Sequence, residues 1–384
     1  MGILTTDKFP LLVVLNPFSG KKQSREVWET ILQPALHRAG KPFKVIESGA
    51  QGHAQTYFFD NIKPIITDLV QSISVANKPV SDSASGPSVV LPSSATLEVM
   101  VVGGDGTVHE IVNGILHGVK GTEFVSEAFR PTVKFSIIPT GTGNAISTSL
   151  GVTSVQDALD RYLAGKEIPM RIMTVSTKAS GNHWEPRLYT VVVNSFGLHC
   201  ATVYDSEEFR HLGNERFRQA AMKNIENLKQ YEGKLVFYGP VQSYNRSSHS
   251  LAPSNNSSGD DLTASTETLS GPFTYLLITK QASLEPGFTP TPLANTADEW
   301  MDVLAVQNVG QAEILQMFGA TSNGQHIQQE QVEYFKTKVV ELETPTQGRL
   351  CVDGEFMTIE PGPDGRVRFE VAKDLNTQIF GVFA

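Results

Sequence analysis

The stretch that most constrains this chain is VVGGDGTVHE, residues 101–110, where an apolar run ends in three glycines around one acid. Residues 97–102 have the length and composition of a buried strand, and an amphipathic helix pattern follows the glycines. Thr107 is predicted to cap that helix. Glycines let a backbone approach a bulky anion closely, and a helix N-terminus adds a favourable dipole. The stretch predicts a phosphate-binding turn that contains Asp105, although a plain strand–helix turn fits GGDG as well.

Composition excludes several classes of protein. The 384 residues suffice for two domains of ordinary size, each with its own core. A net charge of −9 without a long basic stripe argues against a nucleic-acid binder. The two cysteines, Cys200 and Cys351, form no CxxC pair, so neither a disulfide framework nor a zinc site is indicated. No apolar run approaches the ~20 residues of a membrane span, and no secretory signal is evident, so a cytoplasmic location is expected.

Strand-length apolar runs alternate with helical patterns in the first part of the chain. The runs cover residues 11–15, 43–47, 97–102 and 134–139. This alternation predicts a doubly wound α/β domain with a parallel sheet over residues 1–165. Residues 78–96 are rich in Ser and Pro, which indicates a flexible insert. The glycine-rich turns fall at the carboxyl ends of strands, where such sheets bind their ligands.

After Gly165 the pattern changes to short strand-like runs separated by turns. The predicted strands cover residues 168–178, 187–196, 234–238, 273–279, 300–306, 332–342, 348–352 and 367–371. They indicate an antiparallel β-sandwich over residues 166–384, interrupted by one helical region at 206–231. Residues 241–271 are rich in Ser, Asn and Thr, so we predict that they are disordered and that their deletion has little effect.

Two further turns are candidates for ligand contact because each follows a predicted strand. NPFSGKK, residues 16–22, ends the first strand but lacks the spacing of a P-loop, and TGTGNAIS, residues 140–147, follows the fourth. His109 and Glu110 lie just after the GGDG turn. A structural role for His109 is favoured over a metal site, since no second His or Cys falls at ligand spacing. Glu110 is a secondary candidate for contact with a nucleotide.

NPFSGK, GGDGTVHEIVNG and IPTGTGN resemble, in order and spacing, the catalytic domain shared by diacylglycerol, ceramide and sphingosine kinases. Residues 205–217 and 332–357, the latter containing a DGE motif, resemble the sphingosine and ceramide kinase branch. NAD kinases share the GGDGT turn but would not account for residues 205–217. The resemblance implies a lipid kinase that uses ATP and Mg²⁺. It also implies that ATP lies in the cleft between an α/β domain and a β-sandwich, with an apolar lipid pocket in the second domain.

The resemblance implies a role for each matching residue. Asp105 matches the general base for the acceptor hydroxyl. The residues that match nucleotide and phosphate contacts are Asn16, Ser19, Gly20, Gly103, Gly104, Gly106, Thr107, Thr140, Gly141, Thr142, Gly143 and Asn144. Arg210 and Arg216 match phosphate-binding arginines, while Glu355 and Asp353 match the acidic group near nucleotide and magnesium, with Asp353 as the metal ligand. Such residues suit phosphoryl transfer, which depends on positioning and charge neutralisation.

The outer residues of this set also have purely structural interpretations. Asp205 and Glu208 fit a capping box, so their segment can simply begin a helix. Without the motif context, Arg210 and Arg216 are ordinary solvated helix arginines. The Asp-Gly pair of VDGE, flanked by apolar runs, is typical of a hairpin turn.

One position departs from the resemblance and leaves the lipid open. Sphingosine kinases have a carboxylate seven residues before the arginine that matches Arg210, where it meets the amine of the sphingoid base. Here that position is Val203, and Asp205 is the nearest acid along the chain. A sphingoid-type acceptor is therefore expected, with ceramide or diacylglycerol as the alternative. A non-catalytic lipid or nucleotide sensor and a kinase of a soluble substrate are further alternatives, and the oligomeric state stays open.

A lipid acceptor has to be presented by a membrane, so peripheral membrane contact is expected. Residues 1–6, MGILTT, match the N-myristoylation pattern, with Thr6 at the required hydroxyl position. A chance match explains so short a pattern equally well. A single acyl chain would in any case give only reversible membrane binding.

Overall fold

The structure is a computed structural model that describes residues 10–76, 96–120, 132–178, 183–213, 215–254, 261–372 and 380–384. The chain forms two compact units. The first consists of Met1–Gly141, Val152–Met170 and Lys373–Ala384, and the second of Thr142–Gly151 and Arg171–Ala372. The predicted division after residue 165 therefore differs from the structure, because the end of the chain returns to the first unit. The predicted insert at 78–96 and the myristoylation pattern lie, apart from residue 96, outside the described residues.

The described strands are β1 (Leu11–Leu15), β2 (Phe43–Glu47), β3 (Thr96–Gly103), β4 (Thr132–Pro139), β5 (Glu167–Pro169), β6 (Met173–Lys178), β7 (Trp184–Thr190), β8 (Val193–Gly197), β9 (Lys234–Asn245), β10 (Ser250–Pro253), β11 (Ser265–Ser270), β12 (Phe273–Thr279), β13 (Met301–Gln307), β14 (Val332–Glu343), β15 (Gly348–Val352), β16 (Glu355–Ile359), β17 (Val367–Val371) and β18 (Phe380–Phe383). The α-helices are α1 (Ser24–Val27), α2 (Gln33–Arg38), α3 (His53–Ala76), α4 (Asp105–Val119), α5 (Ala145–Ser149), α6 (Val155–Ala164), α7 (Leu198–Asp205), α8 (Glu215–Glu226) and α9 (Gln311–Gly319). None of these helices combines the length and the hydropathy needed to cross a bilayer.

The sheet of the first unit has the strand order β2-β1-β3-β4-β18-β5. Its strands are parallel except β5, which pairs antiparallel with β18. The runs LLVVL and VMVV are continuously apolar because such strands are buried on both faces. The predicted α/β class is confirmed. Since β1, β3 and β4 are adjacent and parallel, the turns that follow them lie along one edge of the sheet.

Two glycines of α4 allow it to pack closely on α3. A Cβ atom at Gly114 would lie 2.4 Å from the carbonyl oxygen of Gln55, and one at Gly118 would lie 2.8 Å from that of Phe59. The two glycines are four residues apart, so they share one face of α4. The backbones of the two helices therefore meet where any larger side chain would separate them.

The second unit is a curled antiparallel sheet with the strand order β16-β15-β8-β12-β13-β14-β17-β6-β7, and β9 adds to β14. Apolar side chains from most of these strands form one core that includes Phe237, Phe273, Phe335 and Phe369. In β17, buried and partly exposed residues alternate, which is the period of a strand with one face on a core. The predicted antiparallel β-sandwich class is confirmed.

The predicted disorder over residues 241–271 is wrong for the described part of that range. β9 continues to Asn245 and pairs antiparallel with both β10 and β11. Thr266 is buried and its hydroxyl donates to the carbonyl oxygen of Gly239 at 3.0 Å, while the Arg246 guanidinium donates to the carbonyl oxygen of Gln329 at 3.1 Å. Backbone pairing and these tertiary bonds outweigh a polar composition. A deletion of the range would therefore remove paired strands.

Candidate active site

Asn16 joins the turn after β1 to the first turn of α4. Its Nδ2 donates to Thr107 Oγ1 at 3.0 Å, and its Oδ1 accepts from the Phe18 N–H at 3.0 Å. The cap predicted at Thr107 is wrong, because α4 begins at Asp105 with the extended Gly104 as its N-cap. Thr107 instead lies buried inside the helix, where its hydroxyl oxygen accepts the hydrogen bond from the Asn16 side-chain amide.

Three predicted glycines lie where neighbouring backbone or side-chain atoms leave no room for a Cβ atom. A Cβ atom would lie 2.8 Å from Thr107 Oγ1 at Gly103, 3.0 Å from the Gly141 Cα at Gly104, and 2.4 Å from the Thr140 carbonyl oxygen at Gly20. Gly20 also has a φ of +50°, which favours glycine. The turns after β1, β3 and β4 therefore come together at one place.

Gly106 differs from these glycines because a Cβ atom there would meet no described atom within 4 Å. Gly106 is exposed, and Asp105 beside it is partly exposed. Both belong to the first turn of α4, where a helix offers N–H groups that lack the i−4 carbonyl partner of later residues, although the Thr107 N–H donates to the Gly104 carbonyl oxygen at 3.0 Å. An anion on this open side would meet those amides and the positive end of the helix dipole.

Two hydroxyl residues hold the turn after β4 in place. Ser24 Oγ and Thr140 Oγ1 are 2.9 Å apart, and the Thr140 N–H donates to the Gly103 carbonyl oxygen at 3.2 Å. Ser24 is fully buried, although it was not among the predicted site residues. Ser19, which was predicted, has its Oγ 3.7 Å from the Cβ position of Gly104. No local pattern marks Ser24, because its partner Thr140 is distant in the chain.

The residues after Asp105 on α4 have structural roles. His109 is buried, and the Asn113 side-chain amide donates to its carbonyl oxygen at 3.0 Å and lies 3.3 Å from its Nε2. Glu110 accepts the Gly52 N–H at 3.0 Å and the Ala54 N–H at 3.1 Å, which fastens the start of α3. The Glu110 carboxylate is thus committed to capping a helix, and the suggested nucleotide contact loses its support.

The rest of the TGTGN motif belongs to the second unit. Thr142, Gly143 and Asn144 are partly buried and precede the short helix α5. Asn144 has a left-handed backbone, with a φ of +54°, and its carbonyl oxygen accepts the Thr148 N–H at 2.8 Å.

Arg210 and Arg216 are brought together by Glu207, which was not among the predicted site residues. Arg210 Nη2 lies 2.7 Å from one Glu207 oxygen and Arg216 Nη1 lies 3.2 Å from the other. The Arg210 side chain is 69% exposed, whereas that of Arg216 is 19% exposed. Burial lowers the pKa of Arg216, and its Nε has no partner in the described part of the chain. Two guanidinium groups on one carboxylate leave a net positive charge, which suits a phosphate.

The capping alternative for this segment is not what the structure shows. Asp205 makes no side-chain cap bond at the 3₁₀ turn Ser206–Leu212 and accepts instead from Asn224 Nδ2 at 3.0 Å.

Asp353 stands at the tip of the hairpin between β15 and β16. Its φ of +49° and the φ of +95° at Gly354 form the two-residue turn typical of Asp-Gly. Its carboxylate accepts N–H groups from Val191 at 2.7 Å, Val192 at 3.0 Å and Val193 at 2.8 Å. Glu355 lies across the hairpin from Val352.

These bonds do not fit the predicted role of Asp353 as a metal ligand. Both of its oxygens already accept backbone donors, and the described residues contain no group of three or more acidic, His or Cys side chains that could hold a metal. The carboxylate instead fastens the hairpin to the start of β8.

We therefore expect Asp353→Asn to destabilise the second unit. The amide tolerates the left-handed backbone but replaces a charged acceptor of three N–H groups, a loss of about 1.5–3 kcal/mol. Urea unfolding with and without Mg²⁺ measures it, with Glu355→Gln as the control in the same hairpin. If Asp353 instead binds Mg²⁺, the Asp353→Asn variant should be as stable as the wild type without Mg²⁺ and should lose the stabilisation that Mg²⁺ gives the wild type.

Two parts of the sequence match known protein families. Residues 10–73 and 88–175 match the diacylglycerol kinase catalytic domain, and residues 195–368 match the YegS C-terminal NAD kinase beta sandwich-like domain. In both parts the chain is similar to members of the diacylglycerol kinase catalytic-domain superfamily. The first match contains all three turns that meet near Asp105, and the second contains the arginines and the Asp353 hairpin.

Named relatives of this chain include sphingoid kinases. It is 24% identical to sphingosine kinase 1 of Arabidopsis thaliana, over 90% of this chain and 68% of the relative. It is 25% identical to sphingosine kinase 1 of Mus musculus, over 91% and 87%. It is 24% identical to sphingoid long chain base kinase 4 of Schizosaccharomyces pombe, over 94% and 73%. The crystal structure of a diacylglycerol kinase from Bacillus anthracis shares its fold, with a TM-score of 0.54 at 15% identity over 97% of this chain and 96% of the other. These relatives and this structure are named as lipid kinases, and the chain is similar to them over most of its length.

Proposed function

We propose that this chain transfers the γ-phosphate of ATP to the primary hydroxyl of a sphingoid-type or related lipid. The observation that carries the proposal is the meeting of three glycine turns beside Asp105 at the open first turn of α4. The names of the relatives support a sphingoid acceptor. Val203 favours its N-acylated form, ceramide, or diacylglycerol as the alternative.

The residues of the first unit fit a polyphosphate. The amides near Gly104 and Gly106 would donate to its oxygens, and the Asn16–Thr107 bond would keep that turn rigid. Asp105 would accept the proton of the acceptor hydroxyl as that oxygen attacks. The Arg210–Glu207–Arg216 cluster of the second unit is a further group able to neutralise phosphate charge. Because the Asp353 carboxylate already accepts three backbone N–H groups, we assign Mg²⁺ to none of the described residues.

We propose that a membrane presents the lipid acceptor and that the chain contacts this membrane peripherally. A non-catalytic sensor is less favoured, since Asp105, Arg210 and Arg216 are all present.

The test is a kinase assay with labelled ATP over sphingosine, ceramide, diacylglycerol and NAD in detergent micelles. We expect label in at least one lipid and none in NAD. Label in NAD alone would indicate a kinase of a soluble substrate, and label in nothing would favour the sensor.

Val203→Asp tests whether residue 203 determines the preference between a cationic and a neutral lipid head group. Val203 is partly buried on α7, so a carboxylate there would pair with a protonated amine but gain nothing from a neutral lipid. A partly exposed ion pair contributes up to about 1 kcal/mol, which predicts a rise of up to about fivefold in kcat/KM for sphingosine relative to ceramide. Val203→Asn is the neutral control. If the wild type already prefers sphingosine and Val203→Asp leaves the ratio of the two kcat/KM values unchanged, another acid holds the amine.

A further inference from the structure

A cavity of about 250 Å³ lies in the second unit at the start of β15, the end of that strand opposite Asp353. It is smaller than the roughly 300–1,000 Å³ of sites for drug-sized ligands, so its size suits a small metabolite. All of its lining residues belong to the second unit, and none of them belongs to the candidate active site. We call it the Arg349 cavity, after the arginine that lines it.

Two aromatic rings and one amide that line the Arg349 cavity are held in place by the fold. Phe196 is 3% exposed and meets Tyr231 edge to face, with 5.7 Å between the ring centroids. The Gln230 side chain donates to the Val309 carbonyl oxygen at 2.9 Å and accepts from the Thr274 hydroxyl at 2.7 Å. An apolar part of a ligand would therefore pack on two fixed rings.

Arg349 brings to the cavity a positive charge that no described carboxylate pairs with. Its guanidinium carbon lies 3.7 Å from the centroid of the Tyr204 ring. Stacking on an aromatic face orients the planar guanidinium and leaves the N–H groups at its edge able to donate. The fork of these donors matches the two oxygens of a carboxylate.

Glu232 brings a negative charge to the same cavity. The residue is exposed, and among the described side chains it forms a salt bridge neither with Arg349 nor with another cation. Two opposite charges that line one small cavity without pairing complement a molecule that carries both charges.

A buried hydroxyl is the third polar group of the cavity. Thr344 lines it and is 1% exposed, yet its Oγ1 has no hydrogen-bond partner in the part of the chain that the structure describes. The Thr344 carbonyl oxygen accepts the Gly362 N–H at 2.8 Å, which fixes the backbone of the residue. Because buried hydroxyls in folded proteins are nearly always hydrogen-bonded, this one points to a bound polar group.

We propose that the Arg349 cavity binds a zwitterionic amino acid with an apolar side chain. Arg349 and the Thr344 hydroxyl would donate to its carboxylate, and Glu232 would accept from its ammonium. Its side chain would pack on the rings of Phe196 and Tyr231. The inference does not depend on the proposed function, because none of these residues belongs to the proposed kinase machinery.

Calorimetric titration of the full chain with L-leucine and L-phenylalanine tests the inference without an activity assay. We expect at least one of them to bind. L-leucinol lacks the carboxylate and 4-methylpentanoate lacks the ammonium, so each should bind about tenfold or more weakly than L-leucine. Binding of neither amino acid at millimolar concentration would overturn the inference. Equal binding of L-leucine and either analogue would contradict the recognition of both charges.

Arg349→Gln removes the cation that is proposed to bind the carboxylate. We expect about tenfold or more weaker binding of the amino acid, with little change in Tm because the side chain is exposed. Arg187→Gln is the matched control, since Arg187 is also exposed on a strand of the second unit and lies 3.2 Å from Glu185, outside the cavity. Equal affinities of Arg349→Gln and Arg187→Gln would overturn the inference.

Thr344→Val separates ligand binding from a structural role. The variant keeps the shape of the side chain, so we expect an unchanged Tm without ligand and about 5–10-fold weaker binding, as for the loss of one hydrogen bond to a charged group. Thr279→Val is the control: that hydroxyl is also buried but donates to the Val192 carbonyl oxygen at 2.7 Å, so its loss should lower Tm and leave binding unchanged. Unchanged binding by Thr344→Val, or a fall in its Tm like that of Thr279→Val, would contradict the proposed role of this hydroxyl.

Discussion

Asp105→Asn is expected to lower kcat by about 10²–10⁴-fold, the usual loss when a general base is removed. The amide keeps the size of the side chain and its place at the start of α4, but it cannot accept a proton. ATP binding should survive, because the amides of Gly104 and Gly106 do not depend on that charge. Lipid phosphorylation under saturating ATP, together with ATP affinity by calorimetry, measures the two effects separately.

Asp157→Asn is the control for this substitution. Asp157 is also an acid in the first turn of a helix of the first unit, and its carboxylate accepts the Thr153 N–H at 2.9 Å. We expect this variant to lose a little stability and no activity. Full turnover by Asp105→Asn would remove Asp105 from its proposed role.

The second large effect concerns the framework that holds α4. Gly114→Ala would place a methyl group 2.4 Å from the Gln55 carbonyl oxygen, and neither backbone can yield without separating α3 from α4. Overpacking against backbone costs about 3 kcal/mol, or about 6–12 °C in Tm for a unit of this size. Thermal unfolding monitored by circular dichroism measures the shift.

Gly319→Ala gives the comparison, since a Cβ atom at this helical glycine of α9 would meet no described atom within 4 Å. It should leave Tm unchanged or slightly raised, because alanine is the better helix former. Equal Tm values for Gly114→Ala and Gly319→Ala would contradict the close packing of the two helices.

Sequence patterns predicted the first unit well where one physical effect dominates. Strands buried on both faces must be continuously apolar, so β1 and β3 are visible in the sequence. β18 was missed because four residues carry too little periodicity and pair with β4, which is distant in sequence. The disorder assigned to residues 241–271 is wrong for their described part for a related reason, since composition does not reveal the partner strands.

In the candidate site, too, features with a local sequence pattern were predicted and contacts between distant residues were missed. Glycines at close approaches were found because the glycine-rich turns mark them, and the structure places Gly20, Gly103 and Gly104 together. The capping of α3 by Glu110 and the contact of Ser24 with Thr140 were missed, since both join residues far apart in the chain. Tertiary bonds of this kind leave no local pattern.

The most direct test of the account follows the label from γ-labelled ATP into the products. The wild type should place label in a lipid that partitions into organic solvent and that mass spectrometry identifies as a phosphate monoester of the acceptor's primary hydroxyl. Asp105→Asn should place almost none there. Label found only in inorganic phosphate or in a water-soluble acceptor would contradict the assignment of this chain as a lipid kinase that acts through Asp105.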